Sequence, residues 1–234
     1  MTDQTFDTLF VRNGELIIFV TPGSLDGFVE QVTGVPLTAS IDYVVGPAVP
    51  PAVGTGSVRF SIGTNGNGTA ALRNSLYDLL PLADLAVLRY STYVSAFGLG
   101  GQAPYLLLDV NFGVGTTVDE QLFFEPLYQD GTYPGDPVPD QGTLALNTWQ
   151  TWDAIIGGWH TGGGPPLITL ANYIALHPAA RIVNSPGGGL QIAAGGAAPA
   201  WNNFVGNVNP LLIGDTDTCI IYDFGPTAGP DGCR

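Results

Sequence analysis

The stretch APYLLLDVNFGVGTTVDEQLFFEPLY (Ala103–Tyr128) decides the fold. Two runs rich in Leu, Phe and Tyr flank a loop of Gly, Thr, Asn and Asp. Tyr105–Val110 and Leu122–Tyr128 therefore read as an antiparallel strand pair joined by an irregular loop. The same grammar continues on both sides. Upstream, Val58, Phe60 and Ile62 alternate with Arg59 and Ser61, Thr64–Gly68 is a turn, and Ala70–Leu80 and Val87–Val94 read as strands. Downstream, strands are expected at Thr148–Ala154, Arg181–Asn184, Leu190–Ala193, Phe204–Ile213 and Thr218–Phe224. Leu167–Leu176 reads as a helix that stops before Pro178. Short apolar runs at this spacing, separated by Gly and Pro, imply an all-β fold: a two-sheet antiparallel jelly-roll sandwich with one or two short helices.

Residues 1–45 read as an N-terminal extension of strand–helix–strand character, ahead of a jelly-roll domain over 46–234. Glu15–Val20 is a continuous apolar run. Leu25, Phe28, Val29 and Val32 fall at helical spacing after Ser24, a cap residue, and before Gly34. Ile41, Tyr43 and Val45 then alternate as a strand. The Pro- and Gly-rich segment Gly46–Gly56 is the expected boundary.

The chain has 234 residues and a net charge of −14. Its six basic residues are all Arg (12, 59, 73, 89, 181 and 234) and are scattered. A chain with no basic patch has nothing to neutralise phosphates, which argues against nucleic acid and anionic membranes as partners. No apolar run reaches the length of a membrane span, and the opening MTDQTFDTLF does not read as a signal peptide. Cys219 and Cys233 are spaced for a disulfide that pins the C-terminal tail, worth roughly 3 kcal/mol by loop closure, in an oxidising compartment.

Six phrases carry a resemblance: PLADLAVLRYSTYV (81–94), GQAPYLLLDV (101–110), QLFFEPLY (121–128), NTWQTWDAIIGGW (147–159), IALHPAARIVN (174–184) and APAWNNFVGNVNPLLIG (198–214). Together they resemble a β-sandwich domain of secreted bacterial multidomain proteins. The last phrase is also similar to the closing strands of concanavalin-like, carbohydrate-binding jelly rolls. The likeness spans residues ~57–224 and implies an extracellular or cell-surface, non-catalytic β-sandwich.

Candidate chemistry is sparse. Asp109, Asn111 and Glu120 fall at positions 1, 3 and 12 of a calcium-loop window, although Gly113 and Val114 stand where a ligand and a glycine are wanted; Asp215 and Asp217 are a weaker pair. Calcium is the one cofactor this pattern suggests. Glu125 and Asp153 are the carboxylates a glycosidase would need, but no converging set accompanies them. His160 and His177 lack a patterned third ligand for zinc. Sugar binding rests on Trp149 or Trp152 with Trp159, Trp201 and Tyr133, beside Asn202, Asn203 and Asp153, because sugars stack on exposed rings and bond to amides and carboxylates. The burial typical of Trp opposes that reading. The apolar strand Leu16-Ile17-Ile18-Phe19-Val20 must be paired or covered, and could add to a neighbour's sheet. The sequence thus reads as a non-catalytic extracellular structural or adhesive protein that self-associates through β-strand addition by residues 6–20 into a filament or surface layer. The alternative is a carbohydrate-binding module with polysaccharide as partner.

Overall fold

The computed structural model describes residues 9–12, 15–34, 38–50, 54–65, 67–184, 188–196 and 198–227. They form an all-β, two-sheet sandwich of jelly-roll type. The first sheet contains β1 (Leu9–Arg12), β2 (Glu15–Val20), β4 (Ala39–Val45), β5 (Gly56–Ile62), β7 (Val87–Phe97), β10 (Trp149–Asp153), β15 (Phe204–Gly214) and β16 (Cys219–Phe224). The second runs β9 (Glu120–Phe124), β8 (Tyr105–Asn111), β14 (Leu190–Gly195), β6 (Thr69–Asn74) and β3 (Phe28–Thr33), with β13 (Arg181–Ile182) beside the end of β8. A ribbon of β11 (Gly158–Trp159) and β12 (Ile168–Thr169) leads into helix α1 (Leu170–Leu176).

Alternation along each strand builds the core. Leu106, Leu108 and Val110 of β8 face inward with Leu122 and Phe124 of β9, and meet Phe60, Tyr90, Trp152, Phe204 and Tyr222 from the other sheet. Buried polar tips find partners, as burial demands: Trp152 Nε1 donates to Thr92 Oγ1 at 2.8 Å, and Tyr90 Oη donates to the Pro104 carbonyl at 3.0 Å.

The long strand β15 pairs with β7 along one side and forks on the other, taking β5 at Phe204–Val208 and β16 at Leu211–Gly214. Pro210 lies at the irregular register between Val208 and Leu211, where its missing N–H costs no ladder bond. Asn209 fills the fork. Its amide donates to the Gly56 carbonyl (3.0 Å) and to Asp223 Oδ1 (2.7 Å), and its carbonyl oxygen accepts from Phe224 N (2.9 Å). A side chain thus makes the bonds that two diverging strands cannot make to each other.

Several expectations change. The segment expected as a helix around Leu25–Val32 is β3, paired with β6 from Phe28↔Asn74 to Thr33↔Thr69. Spacings of three and four fit either element. Gly27 at φ +86° turns the chain just before β3, and β-branched Val29, Val32 and Thr33 suit a pleated surface. The strand expected over Ala70–Leu80 ends at Asn74, and the strand expected to run to Tyr128 ends at Phe124, before a turn led by Pro126. The apolar strand Leu16–Val20 is not held out for a neighbour. β2 lies between β1, antiparallel, and β16, parallel, with Ile18 and Val20 in the core. Residues 15–45 supply strands to both sheets, and the Pro/Gly-rich segment after Val45 is the β4–β5 connection.

Candidate functional site

The outer face of the second sheet carries polar and aromatic side chains in ordered rows. Register places Arg73 (β6), Gln191 (β14), Leu107 (β8) and Phe123 (β9) in one line, and a backbone bridge adds His160 beyond Phe123. The next line holds Gln31, Ala71, Ala193 and Tyr105. Ala71 and Ala193 in this line are buried, 3% and 2% exposed.

A hydrogen-bonded ladder fixes the polar part. Arg73 Nη2 donates to Asp109 Oδ2 at 2.9 Å, Nη1 to Gln31 Oε1 at 3.0 Å, and Nε to the Gly188 carbonyl at 3.2 Å. Asp109 also accepts from Gln121 Nε2 (2.6 Å) and Gln191 Nε2 (3.1 Å). Burial raises the Asp109 carboxyl above its usual range, against the pull of Gln121, Arg73 and Gln191. Gln31 and Gln121, at the two ends, are exposed.

The aromatic part is continuous. Trp201 lies 5.8 Å from Tyr105, Tyr105 6.1 Å from Phe123, Phe123 5.4 Å from His160, His160 5.6 Å from Tyr128, and Tyr128 4.8 Å from Tyr133, centroid to centroid. The Phe123 and His160 planes are within 7° of parallel. His160 Nδ1 accepts from Gly162 N at 3.1 Å, so Nε2 carries the proton and donates to Glu125 Oε1 at 3.0 Å. Tyr105 Oη donates to the Gly195 carbonyl at 3.3 Å, which lays that ring along the sheet. Tyr105, Phe123, Tyr128 and Tyr133 are half-buried, whereas His160 and Trp201 are buried beneath the line.

The residues singled out from sequence are scattered over the sandwich. Trp152 and Trp159 are fully buried, and Trp159 Nε1 donates to the Ala154 carbonyl at 2.8 Å. A surface platform built on these two rings is not presented, because inward alternation and the core claim them. Trp201 and Tyr133 join the aromatic line, with half-buried Asn202 beside Trp201 in sequence; Asn203 is a turn residue at φ +60°. Trp149 and Asp153 stand on the other sheet, where Asp153 pairs with Arg89 Nε at 2.7 Å. Glu125, just past the end of β9, bonds to His160, whereas Asp153 on β10 of the first sheet pairs with Arg89, so each carboxylate is held by its own partner. Sequence reasoning missed Tyr105, Phe123 and Tyr128 as site residues. For Tyr105 on β8 and Phe123 on β9, alternation with core residues was the available signal; Tyr128 lies in the turn after β9, where alternation gives none.

The calcium trio does not converge. Asp109 and Asn111 face outward, and Asp109 is held by Arg73. Asn111 is spent on its own loop, accepting from Gly113 N (2.9 Å) and Gly115 N (3.1 Å) and donating to Asp119 Oδ2 (2.9 Å). Glu120 pairs across from inward-facing Val110 and accepts from Tyr173 Oη at 2.8 Å. Two residues on one face of a strand pair and one on the other cannot share an ion. Asp215 caps its own turn, accepting from the backbone N–H of Asp217 and Thr218. Among the described residues no group of three or more His, Cys, Asp or Glu could hold a metal. His177 stacks on Phe112 at 4.2 Å. Cys219 is half-buried and forms no disulfide among the described residues, and burial pushes its thiol ionisation up; its expected partner Cys233 lies outside the described residues. Among the described residues no helix is long and apolar enough to cross a membrane.

No family profile matches the sequence. No curated protein matches it either. Among solved structures, the chain is similar to the family 11 carbohydrate-binding module of the cellulosomal cellulase Lic26A-Cel5E of Clostridium thermocellum, at 8% identity and TM-score 0.40 over 81% of this chain and 88% of that one. It is also similar to the family 11 module from Clostridium thermocellum in complex with a β-1,3-1,4-mixed-linked tetrasaccharide, at 10% identity and TM-score 0.40 over 85% and 95%. A third is SGBP-B from a complex xyloglucan utilization locus in Bacteroides uniformis, at 12% identity and TM-score 0.34 over 76% of this chain and 45% of that one.

Proposed function

We propose that this chain is a non-catalytic carbohydrate-binding module, acting outside a cell or at its surface, that takes a neutral polysaccharide along the outer face of the second sheet. The half-buried rings of Tyr105, Phe123, Tyr128 and Tyr133, backed by buried Trp201 and His160 and set beside the Gln31–Arg73–Asp109–Gln121 ladder, carry the reading. A sugar presents C–H groups to the electron-rich faces of such rings and hydroxyls to planar amides. Gln31 is bonded to the ladder through its oxygen and Gln121 through its nitrogen, so the opposite end of each amide is turned to a ligand. Neutrality of the ligand follows from charge. Arg73 is spent on Asp109, and a chain of net charge −14 repels polyanions.

Affinity electrophoresis through gels containing mixed-linked β-1,3-1,4-glucan, xyloglucan, xylan or mannan tests the reading. At least one gel retards the wild-type chain. Tyr128→Ala and Phe123→Ala each weaken the interaction by tenfold or more, as expected when an aromatic contact worth about 2 kcal/mol is removed. Circular dichroism confirms that both variants fold. Absence of retardation in every gel, or retardation that neither variant alters, overturns it.

A further inference from the structure

The opposite face of the sandwich carries a second arrangement of the same chemistry. On the outside of the first sheet, Asp42 (β4), Arg59 (β5), Asn207 (β15), Tyr93 (β7) and Trp149 (β10) stand in register in one row across five strands. Arg59 Nη2 pairs with Asp42 Oδ2 at 3.1 Å, and both side chains are more than two-fifths exposed. The rings of Tyr93 and Trp149 lie 5.6 Å apart at 56°. Beside the row is a groove of about 220 Å³, lined by Arg59 and Asn207 together with Val45, Pro47, Ser95 and Val205.

The groove is built rather than incidental. The β4–β5 connection that walls it is fastened at both ends of Gly46–Pro47. The Ser57 hydroxyl donates to the Gly46 carbonyl and accepts from the Asn207 amide, and the Trp149 indole N–H donates to the Pro47 carbonyl at 2.8 Å. Trp149 is therefore fixed by a hydrogen bond and by Tyr93 without being buried, and its ring needs no ordering when a ligand arrives. Arg59 Nε, buried within the row, has no hydrogen-bond partner among the described residues. The exposed ion pair and the two rings offer charge-assisted hydroxyl contacts beside an apolar surface, over the buried Asn207 amide. The pair is neutral overall, so it does not select an anion. The volume is below the roughly 300–1,000 Å³ of pockets that enclose a drug-sized ligand. It suits one or two units of a chain passing over the surface.

We propose that this face is a second glycan contact, so that one module engages polysaccharide on both sides of the sandwich. The inference rests on the carbohydrate reading above and adds a site to it. Isothermal titration with a mixed-linked β-1,3-1,4 tetrasaccharide, and with a xyloglucan oligosaccharide, reads the number of sites. Two sites are expected in the wild-type chain and one in Trp149→Ala. The same loss is expected in Val45→Arg, which fills the groove from an exposed position without disturbing the core. Tyr128→Ala keeps only the Trp149 site, and the double variant Tyr128→Ala/Trp149→Ala binds neither. A single wild-type site abolished by Tyr128→Ala and untouched by Trp149→Ala and Val45→Arg overturns the second contact while the module reading stands. Absence of binding to any glycan by the wild-type chain overturns both.

Discussion

Replacing Asp223 with Asn should flatten the pH dependence of stability. Asp223 is 4% exposed on β16 and accepts from Asn209 at the fork of β15. Gly54 closes over it: a methyl group there would meet Asp223 Oδ2 at 2.5 Å. Burial pushes its carboxyl up from 3.8 to about 7, against the pull of the Asn209 amide. The native state therefore holds this proton up to about pH 7, whereas the unfolded chain releases it near 3.8. Between those values the native state binds more protons than the unfolded one, so stability falls as pH rises. About three units at 1.36 kcal/mol each give a loss of about 4 kcal/mol by pH 8. That is a large share of the 5–15 kcal/mol typical of a domain. Asp109, also raised by burial, adds in the same direction. Asn is isosteric and still accepts from Asn209. Urea midpoints measured from pH 4 to pH 8 should decline steeply for the wild-type chain and much less for Asp223→Asn. The variant should match wild type at pH 4 and exceed it at pH 8. A wild-type curve flat across this window, or an equal decline in the variant, would refute the account.

Three further outcomes follow from packing. Arg73→Met leaves Asp109 buried without its cation and should lower stability by about 3–5 kcal/mol; adding Asp109→Leu should recover most of the loss in chemical denaturation. Trp152→Ala empties a fully buried site and strands Thr92 Oγ1, costing about 3–5 kcal/mol by the same assay. Deleting residues 1–20 removes β1 and β2 and uncovers the β16 edge. Size-exclusion chromatography should show a less stable, aggregation-prone chain, and a truncated chain as stable and monodisperse as the full one would contradict the pairing seen here.

The architecture was legible because alternation is a local property. Tyr105–Val110, Phe204–Ile213 and Thr218–Phe224 could be read as strands residue by residue, and each is one. Local pattern gives no pairing partner. Nothing in Leu16–Val20 says that its neighbour is Cys219–Phe224, so an apolar strand already satisfied at home read as one available to another molecule. Phe28–Thr33 failed for a related reason, since its apolar spacing suits both a helix and a strand and only the β6 ladder decides. The site was half legible. Trp is conspicuous in a sequence, but Trp152 and Trp159 spend their area on the core. The rings of the candidate face include Tyr105 and Phe123, whose role depends on which side of a strand faces out, and Tyr128, which a turn after β9 positions.

The parallel pairing of β2 with β16 also has a temporal side. Ile17 and Ile221 are partners separated by about 200 residues of chain. At roughly 5–20 residues per second, a ribosome takes about 10–40 s to make the distance between them. During that interval the run Leu-Ile-Ile-Phe-Val exists without the strand that completes it. Closing so long a loop is slow even when the whole chain is present. The sandwich is therefore finished only when β16 arrives, and β2 is the strand most in need of shelter from other chains while it waits.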